Sequence, residues 1–238
     1  MRLGELVGLL ALGQDAAFGQ PHESQARSTL LAVWLAESMG LAPDLVATTY
    51  WVAQLRYLGC TGHAHEVSTL FGDEIETRSR TLRYDAASPA AVARDVLRHA
   101  HPDRRGLRRP GAVLSVLATG KAFAEMHFRT GCEVGDVLAE RLGMPAAVRE
   151  SLACTFERWN GKGQPRGVAG EAIPLPMRIV HLTHELEALD RAGSAPEALE
   201  RIRSRSGGPT TRPWSAPWHR AERSPWPAWR RWIRGTRP

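Results

Sequence analysis

Apolar residues spaced three and four apart, closed off by glycine and reopened by proline, leave helices as the regular structure this chain can build over most of its length. Leu3, Leu6, Val7 and Leu10 share one helical face, and Val134, Val137, Leu138 and Leu142 share another. Gly40 stops one apolar run, Pro43 opens the next in its first turn and Gly59 closes it; Gly143 and Pro145 repeat the punctuation. Long alternating, strand-like segments are absent, and no segment repeats another. The stretches from Arg78 to Pro89 and from His101 to Gly111 are charged or rich in Gly and Pro, so they are expected as internal loops. A chain of 238 residues that is 43% hydrophobic can enclose one sizeable core with such helices.

The net charge of +6 invites a nucleic-acid or membrane-surface reading, but its location argues otherwise. Residues 209–238 hold seven arginines and one acid, Glu222; without them the 31 basic and 25 acidic residues become 24 of each, so the body is neutral. Cys60, Cys132 and Cys154 are too few and too scattered for a disulfide framework, and are expected as reduced thiols in a cytoplasmic protein. Glu5 and Asp15 among the first apolar residues, with only Arg2 ahead of them, do not form the basic-then-apolar layout of a signal peptide. No apolar run is long enough for a membrane span.

From Gly207 the composition changes. Pro209, Pro213, Pro217, Pro225 and Pro227 forbid a continuous helix, while Trp214, Trp218, Trp226, Trp229 and Trp232 supply five of the eight tryptophans. Three explanations compete: a basic tail for nucleic acid or membrane surfaces, a linker, or a segment read out of frame. Shifting the frame by two bases permits helical, amphipathic sequence for both Pro209–Pro217 and Pro225–Arg234. The expectation is therefore a domain at residues 1–206 followed by an out-of-frame, unstructured tail at 207–238.

One segment carries a more particular signal. Glu157, Arg158, Trp159, Asn160, Gly161, Lys162, Gly163, Gln164, Pro165, Arg166 and Gly167 precede Gly170, Glu171, Pro174, Pro176, Arg178 and Ile179. This order resembles the signature of the HD-GYP phosphohydrolases. The resemblance implies an all-α HD-domain bundle of about eight helices. In that family paired histidines precede the stretch, an Asp stands at the Asn160 position and a Tyr at the Gln164 position, and a metal centre hydrolyses cyclic di-GMP. Such centres work by lowering the pKa of a metal-bound water.

The positions that the resemblance assigns to metal ligands hold other residues here. A His three before an Arg becomes Ser24, with Arg27 retained; His22 is two positions away and faces elsewhere on a helix. The defining His-Asp pair becomes Arg56 and Tyr57, ahead of Leu58, Gly59 and Cys60. A later His becomes Gly131, the paired histidines become Thr155 and Phe156, and the Asp of the last core helix becomes His184. The resemblance thus supports the fold and argues against the activity, with no cofactor expected.

Substitute metal sites are weak on spacing alone. His63 and His65, and His99 and His101, alternate and so do not share a helix face, whereas His181 and His184 do. Glu157, Arg158 and Trp159 are expected to anchor the signature loop, with Gly161, Gly163 and Gly167 supplying unusual backbone angles. Asn160 keeps the shape of the family's Asp without its charge. Arg178 is expected in an ion pair with Glu157 or Glu171, and Cys60 and Cys154, beside the former metal positions, are expected as ordinary buried residues, with lining of the emptied cavity as the alternative.

The expected function is a catalytically inactive signalling domain that binds a nucleotide, small ligand or protein partner, or forms a homodimer, within a truncated transcriptional regulator. Its relatives of this type resemble proteins with a helix-turn-helix (LuxR-like) output domain. The alternatives are a metal-dependent phosphodiesterase with an atypical ligand set, and a nucleic-acid-binding protein acting through the tail.

Overall fold

In the computed structural model, residues 2–60, 64–81, 88–101 and 108–192 are described. The boundary expected at 206, the tail beyond it and His63 lie outside them. The helices are α1 (Leu3–Ala17), α2 (Ser24–Ser38), α3 (Pro43–Leu55), α4 (Ala64–Phe71), α5 (Glu74–Thr81), α6 (Pro89–His99), α7 (Arg108–Arg141), α8 (Ala146–Leu152) and α9 (Leu175–Ala192). A short 3₁₀ turn spans Gly170–Ala172. Among the described residues there is no strand, so the fold is the all-α bundle expected. No described helix is long and apolar enough to cross a membrane.

The core is organised around α9, which packs on both α2 and α3. Met177, Ile179, Val180, Leu182 and Leu186 are buried around most of its circumference, the pattern of a central helix rather than a surface one. Ala32, Leu35 and Ala36 of α2, Val52 and Leu55 of α3, and Val148 and Leu152 of α8 complete that core. A smaller cluster joins Val96 and Ala100 to Val113 and Val116 under Leu70 and Phe71. Helix α7, about 50 Å long at 1.5 Å per residue, contributes to both clusters.

Helix ends follow the glycine punctuation. Gly40 and Gly143 each sit at φ +70°, where a side chain would be strained. After α2, Leu41 N–H donates to Ala36 O and Gly40 N–H to Glu37 O; after α7, Met144 donates to Ala139 O and Gly143 to Glu140 O. Both are paired reverse bonds that satisfy the last carbonyls, with an apolar residue folding back over the helix end.

Four expectations are corrected. Arg78–Thr81 are helical rather than looped, because Glu74 pairs with Arg78 at 2.8 Å and Glu76 with Arg80 at 2.7 Å, one turn apart. Arg108–Gly111 belong to the first turn of α7, where Pro110 forfeits no intrahelical bond. On α7 the large apolar residues do not mark the packed face: Val134 and Val137 are 40% and 47% exposed, while Gly131, Gly135 and Ala139 are buried. On α1 the buried positions are Val7, Ala11, Gln14 and Asp15, leaving Leu3, Leu6 and Leu10 exposed.

Gly59 gives the reason for the small-residue face. It lies in the turn after α3, directly against the backbone of Gly131 and Gly135. The chain and α7 meet backbone to backbone, an approach that requires glycine at position 59.

Candidate functional site

Three segments converge beside that crossing: the turn after α3, α7 at Gly131, and the end of α8 leading into the signature loop. Arg56, Gly131, Cys132, Gly135, Thr155 and Phe156 line a narrow cleft of about 10 Å³, room for about one water. Most of the positions that the resemblance assigned to metal ligands are thus neighbours in space. Ser24 is not directed to them, since its hydroxyl donates to Pro21 O at 2.8 Å, at the start of α2.

His184, on α9, is held at both ring nitrogens. The Arg56 Nη2–H group donates to Nδ1 at 2.6 Å, and Tyr57 Oη lies 3.1 Å from Nε2. A guanidinium has donors only, so Nδ1 must be the acceptor and the proton of the neutral ring sits on Nε2, donating to the Tyr57 oxygen. Burial, and then the cation of Arg56, hold the His184 pKa well below its ordinary value. Arg56 is 7% exposed and its guanidinium carbon stands 4.6 Å from the Tyr57 ring centre. Arg56 and Tyr57 therefore fill the position of the expected metal centre with a cation and a phenol.

The other members are equally occupied. Thr155 Oγ donates to Leu152 O at 2.7 Å, and the Phe156 ring lies 4.5 Å from that of Phe128. His181 Nε2–H donates to Thr155 O at 2.8 Å, and burial lowers its pKa to about 4. Burial pushes the Cys60 thiol up to about 12 and the Cys132 thiol up to about 11, which keeps both protonated and poor as ligands. Among the described residues, no group of three or more His, Cys, Asp or Glu side chains could hold a metal ion. His99 pairs with Asp95 at 3.0 Å and His101 bonds Leu70 O at 2.8 Å, so each has a structural partner. The residues present do not fit the metal centre that the resemblance implies.

Both buried histidines make stability depend on pH. Each folded-state pKa lies below the unfolded value of about 6.5, so the unfolded chain takes up protons first and stability falls as pH drops below about 6.5. Each histidine is expected to contribute about 1.4 kcal/mol per pH unit in this window. Asp15 and Glu187, held above the ordinary carboxylate range chiefly by burial, act in the opposite sense at lower pH. Urea unfolding at about pH 7 and about pH 5.5 checks this, and His181→Gln is expected to remove about half the difference.

The signature loop is tied by Glu157, which is 2% exposed. Its carboxylate accepts from Arg166 N at 2.8 Å and Val168 N at 2.9 Å. Gly161 and Gly167 adopt φ of +73° and +67°, as expected. Gly163 does not; its need is for space, because a Cβ there would meet the Glu157 and Arg158 backbone. Asn160 Oδ1 accepts from Lys162 N at 3.0 Å, and Pro165 follows a cis peptide bond. Arg158 O accepts from Gly161 N at 2.8 Å.

The ion pair expected for Arg178 is not formed. Glu157 is committed to backbone donors, and Arg178 instead lies 5.9 Å from the Trp159 ring centre, with Glu171 acting on it through space. Cys60 and Cys154 are buried, as expected, and neither lines the cleft. Cys132 lines it instead, and Cys154 accepts from Arg166 Nη2 at 3.1 Å.

Sequence reasoning missed Gln25, which is 2% exposed. Its side-chain amide donates to Ala53 O at 3.1 Å and Gln54 O at 2.8 Å, satisfying the end of α3, and its backbone N–H donates to Asp15 at 3.1 Å. No periodicity marks such a residue; only the contacts reveal it.

Comparison with known proteins finds similarity in sequence and in fold. Residues 121–208 match the HD-domain family model. Over 205 residues, 86% of this chain and 45% of the relative, the sequence is 26% identical to the 3'3'-cGAMP-specific phosphodiesterase 3 of Vibrio cholerae. The fold matches the crystal structure of a cyclic GMP-AMP-specific phosphodiesterase from V. cholerae with a TM-score of 0.64 and 23% identity, over 93% of this chain and 49% of that one. The chain spans about half the length of the relatives it matches.

Proposed function

We propose that this HD-domain chain, phosphohydrolase-like in fold and ancestry, is a ligand-binding signalling module that does not hydrolyse its ligand through a metal-bound hydroxide. The observation that carries the reading is the Arg56, His184 and Tyr57 assembly. A guanidinium occupies the expected cation site, and both nitrogens of the one histidine placed there are used. A cleft of about 10 Å³ holds about one water and is far below the roughly 300–1,000 Å³ typical of ligand pockets, so a nucleotide would enter only if the segments lining it move apart. The proposed location is cytoplasmic, with a second copy or an attached output domain as the receiver of the ligand state.

A second reading is a metal-dependent phosphodiesterase. What supports it is the relatedness itself: most of this chain is similar to a protein named for that activity, and on relatedness alone this is the stronger reading. The donor set favours the first.

Metal content and hydrolysis decide between them. The purified chain, without a His tag, is expected to carry less than about a tenth of an equivalent of Fe, Mn or Zn, and to leave 3'3'-cGAMP and cyclic di-GMP intact with or without added Mn²⁺. One equivalent of bound metal together with chelator-sensitive hydrolysis would establish the second reading instead.

A further inference from the structure

We propose that the exposed face of α1 is the contact surface for a second copy of this chain, the two α1 helices lying antiparallel about a two-fold axis at Leu9. The reading above names a second copy as one receiver of the ligand state. The α1 face supplies that contact, and does so whether or not the chain hydrolyses a ligand.

The face is unusual for a surface helix. Leu3, Leu6, Leu9, Leu10 and Leu12 are 36–60% exposed, five large apolar side chains within ten residues, while α1 packs on the bundle through Val7, Ala11, Gln14 and Asp15. Singly exposed leucines need no explanation, but a contiguous apolar patch marks an interaction site. These leucines leave on the order of 400 Å² of apolar surface in water, the size at which such patches are commonly functional.

Two features select a copy of α1 as the occupant. The first is register. Arg2, Leu6, Leu9, Gly13 and Ala16 are all exposed and recur at four and three residues, the seam along which two helices stay in contact over the full length of α1, about 22 Å. Reversing the helix about Leu9 returns the same seam: Leu9 meets its counterpart, Leu6 meets the second copy's Leu12, and Glu5 meets its Gly13. An added Cβ at Gly13 would meet nothing within 4 Å, so the room that Glu5 needs is there.

The second feature is charge. In this pairing Arg2 reaches the C-terminal end of the other α1, whose last turn has no basic residue, and the two helix dipoles oppose. No charged residue of the face meets a like charge. A membrane surface fits less well, since Arg2 is the one basic residue on the face and Glu5 lies within it. A two-fold pair covers on the order of 800 Å² of leucine surface together with its polar rim, the low end for a specific interface. The dimer is therefore expected to be weak, with a Kd of about 1–100 µM.

Sedimentation velocity of the full chain from about 1 to about 300 µM tests the proposal, and a shift from monomer to dimer is expected across that range. Leu9→Glu and Leu9→Lys are each expected to weaken the dimer at least about tenfold, because they set like charges together at the axis, and an equimolar mixture of the two is expected to recover it. Leu9 is 60% exposed, so neither substitution removes a core contact, and the melting midpoint at low concentration checks the fold. Register is read by copper-phenanthroline oxidation. Leu9→Cys is expected to form a disulfide-linked dimer, whereas Leu97→Cys on α6, where the leucine is 57% exposed, is not.

A chain that stays monomeric throughout, self-association unchanged in both charge variants, failure of the mixture to recover it, or equal cross-linking of Leu9→Cys and Leu97→Cys would each overturn the α1 pairing. Metal content and hydrolysis do not depend on these outcomes, so failure of the α1 contact and failure of the non-hydrolytic reading are separately visible.

Discussion

Gly59→Ala is expected to lower the unfolding free energy by about 4 kcal/mol, which for a chain of this size lowers the melting midpoint by about 10–15 °C. The added Cβ would overlap the carbonyl oxygen of Gly131 and stand 2.7 Å from the backbone nitrogen of Gly135. Neither group can rotate away, so the turn after α3 must separate from α7. That separation would also carry Arg56 away from the cleft wall. Gly13→Ala is the control: this exposed residue lies inside α1 with nothing within 4 Å of an added Cβ, and a gain of about 1 kcal/mol is expected. Thermal and urea unfolding of both variants check the contrast. A loss below about 1 kcal/mol in Gly59→Ala would mean that the crossing is not the tight contact described.

Gly131 shows why this contact bears on function. At the position where the resemblance places a metal-binding His, its Cβ would find ordinary contacts, 3.7 Å to Cys60 Sγ and to Gly59 O. Alanine there is expected to be tolerated. The strict glycine is the partner, Gly59, whose neighbourhood in sequence gives no hint of what it meets.

The same distinction separates what the sequence made legible from what it did not. Helix number, the Gly40 and Gly143 stops and the Pro43 start follow from local backbone preference, so each can be read from a few consecutive residues. Which face of a helix packs is a tertiary outcome. On α7 the valines at 134 and 137 suggested one face, but the Gly131, Gly135 and Ala139 side won because it lets backbones approach more closely. At the site, residue identities at the former ligand positions were legible through the resemblance. The bonds Arg56 to His184 and Tyr57 to His184 span 128 and 127 residues, and no local pattern encodes them. Arg178 illustrates the converse: a nearby acid in sequence was expected as its partner, but Glu157 had stronger claims on it from backbone donors.

Those claims yield the second large effect. Glu157→Ala is expected to destabilise the fold by about 4 kcal/mol, and Glu157→Gln by about 2 kcal/mol. The parent carboxylate offers two oxygens to two backbone donors, Arg166 N and Val168 N, and hydrogen bonds to a charged group contribute about 1.5–3 kcal/mol each. Alanine removes both acceptors and leaves a void beside Gly163, whose own backbone is pressed against that of Glu157. Glutamine keeps one acceptor but turns an amide donor toward the other N–H, so one bond is lost and one like-like contact is created. Amide exchange at Arg166 and Val168 reads the local event, and urea unfolding reads the global one. If exchange accelerates while global stability holds within about 1 kcal/mol, the loop opens independently of the core. A loss in both means that the loop is part of the cooperative fold, with the Glu157 carboxylate joining the end of α8 to the approach to α9. Because Phe156 and Thr155 directly precede Glu157, that linkage would also hold the cleft beside His184 in place.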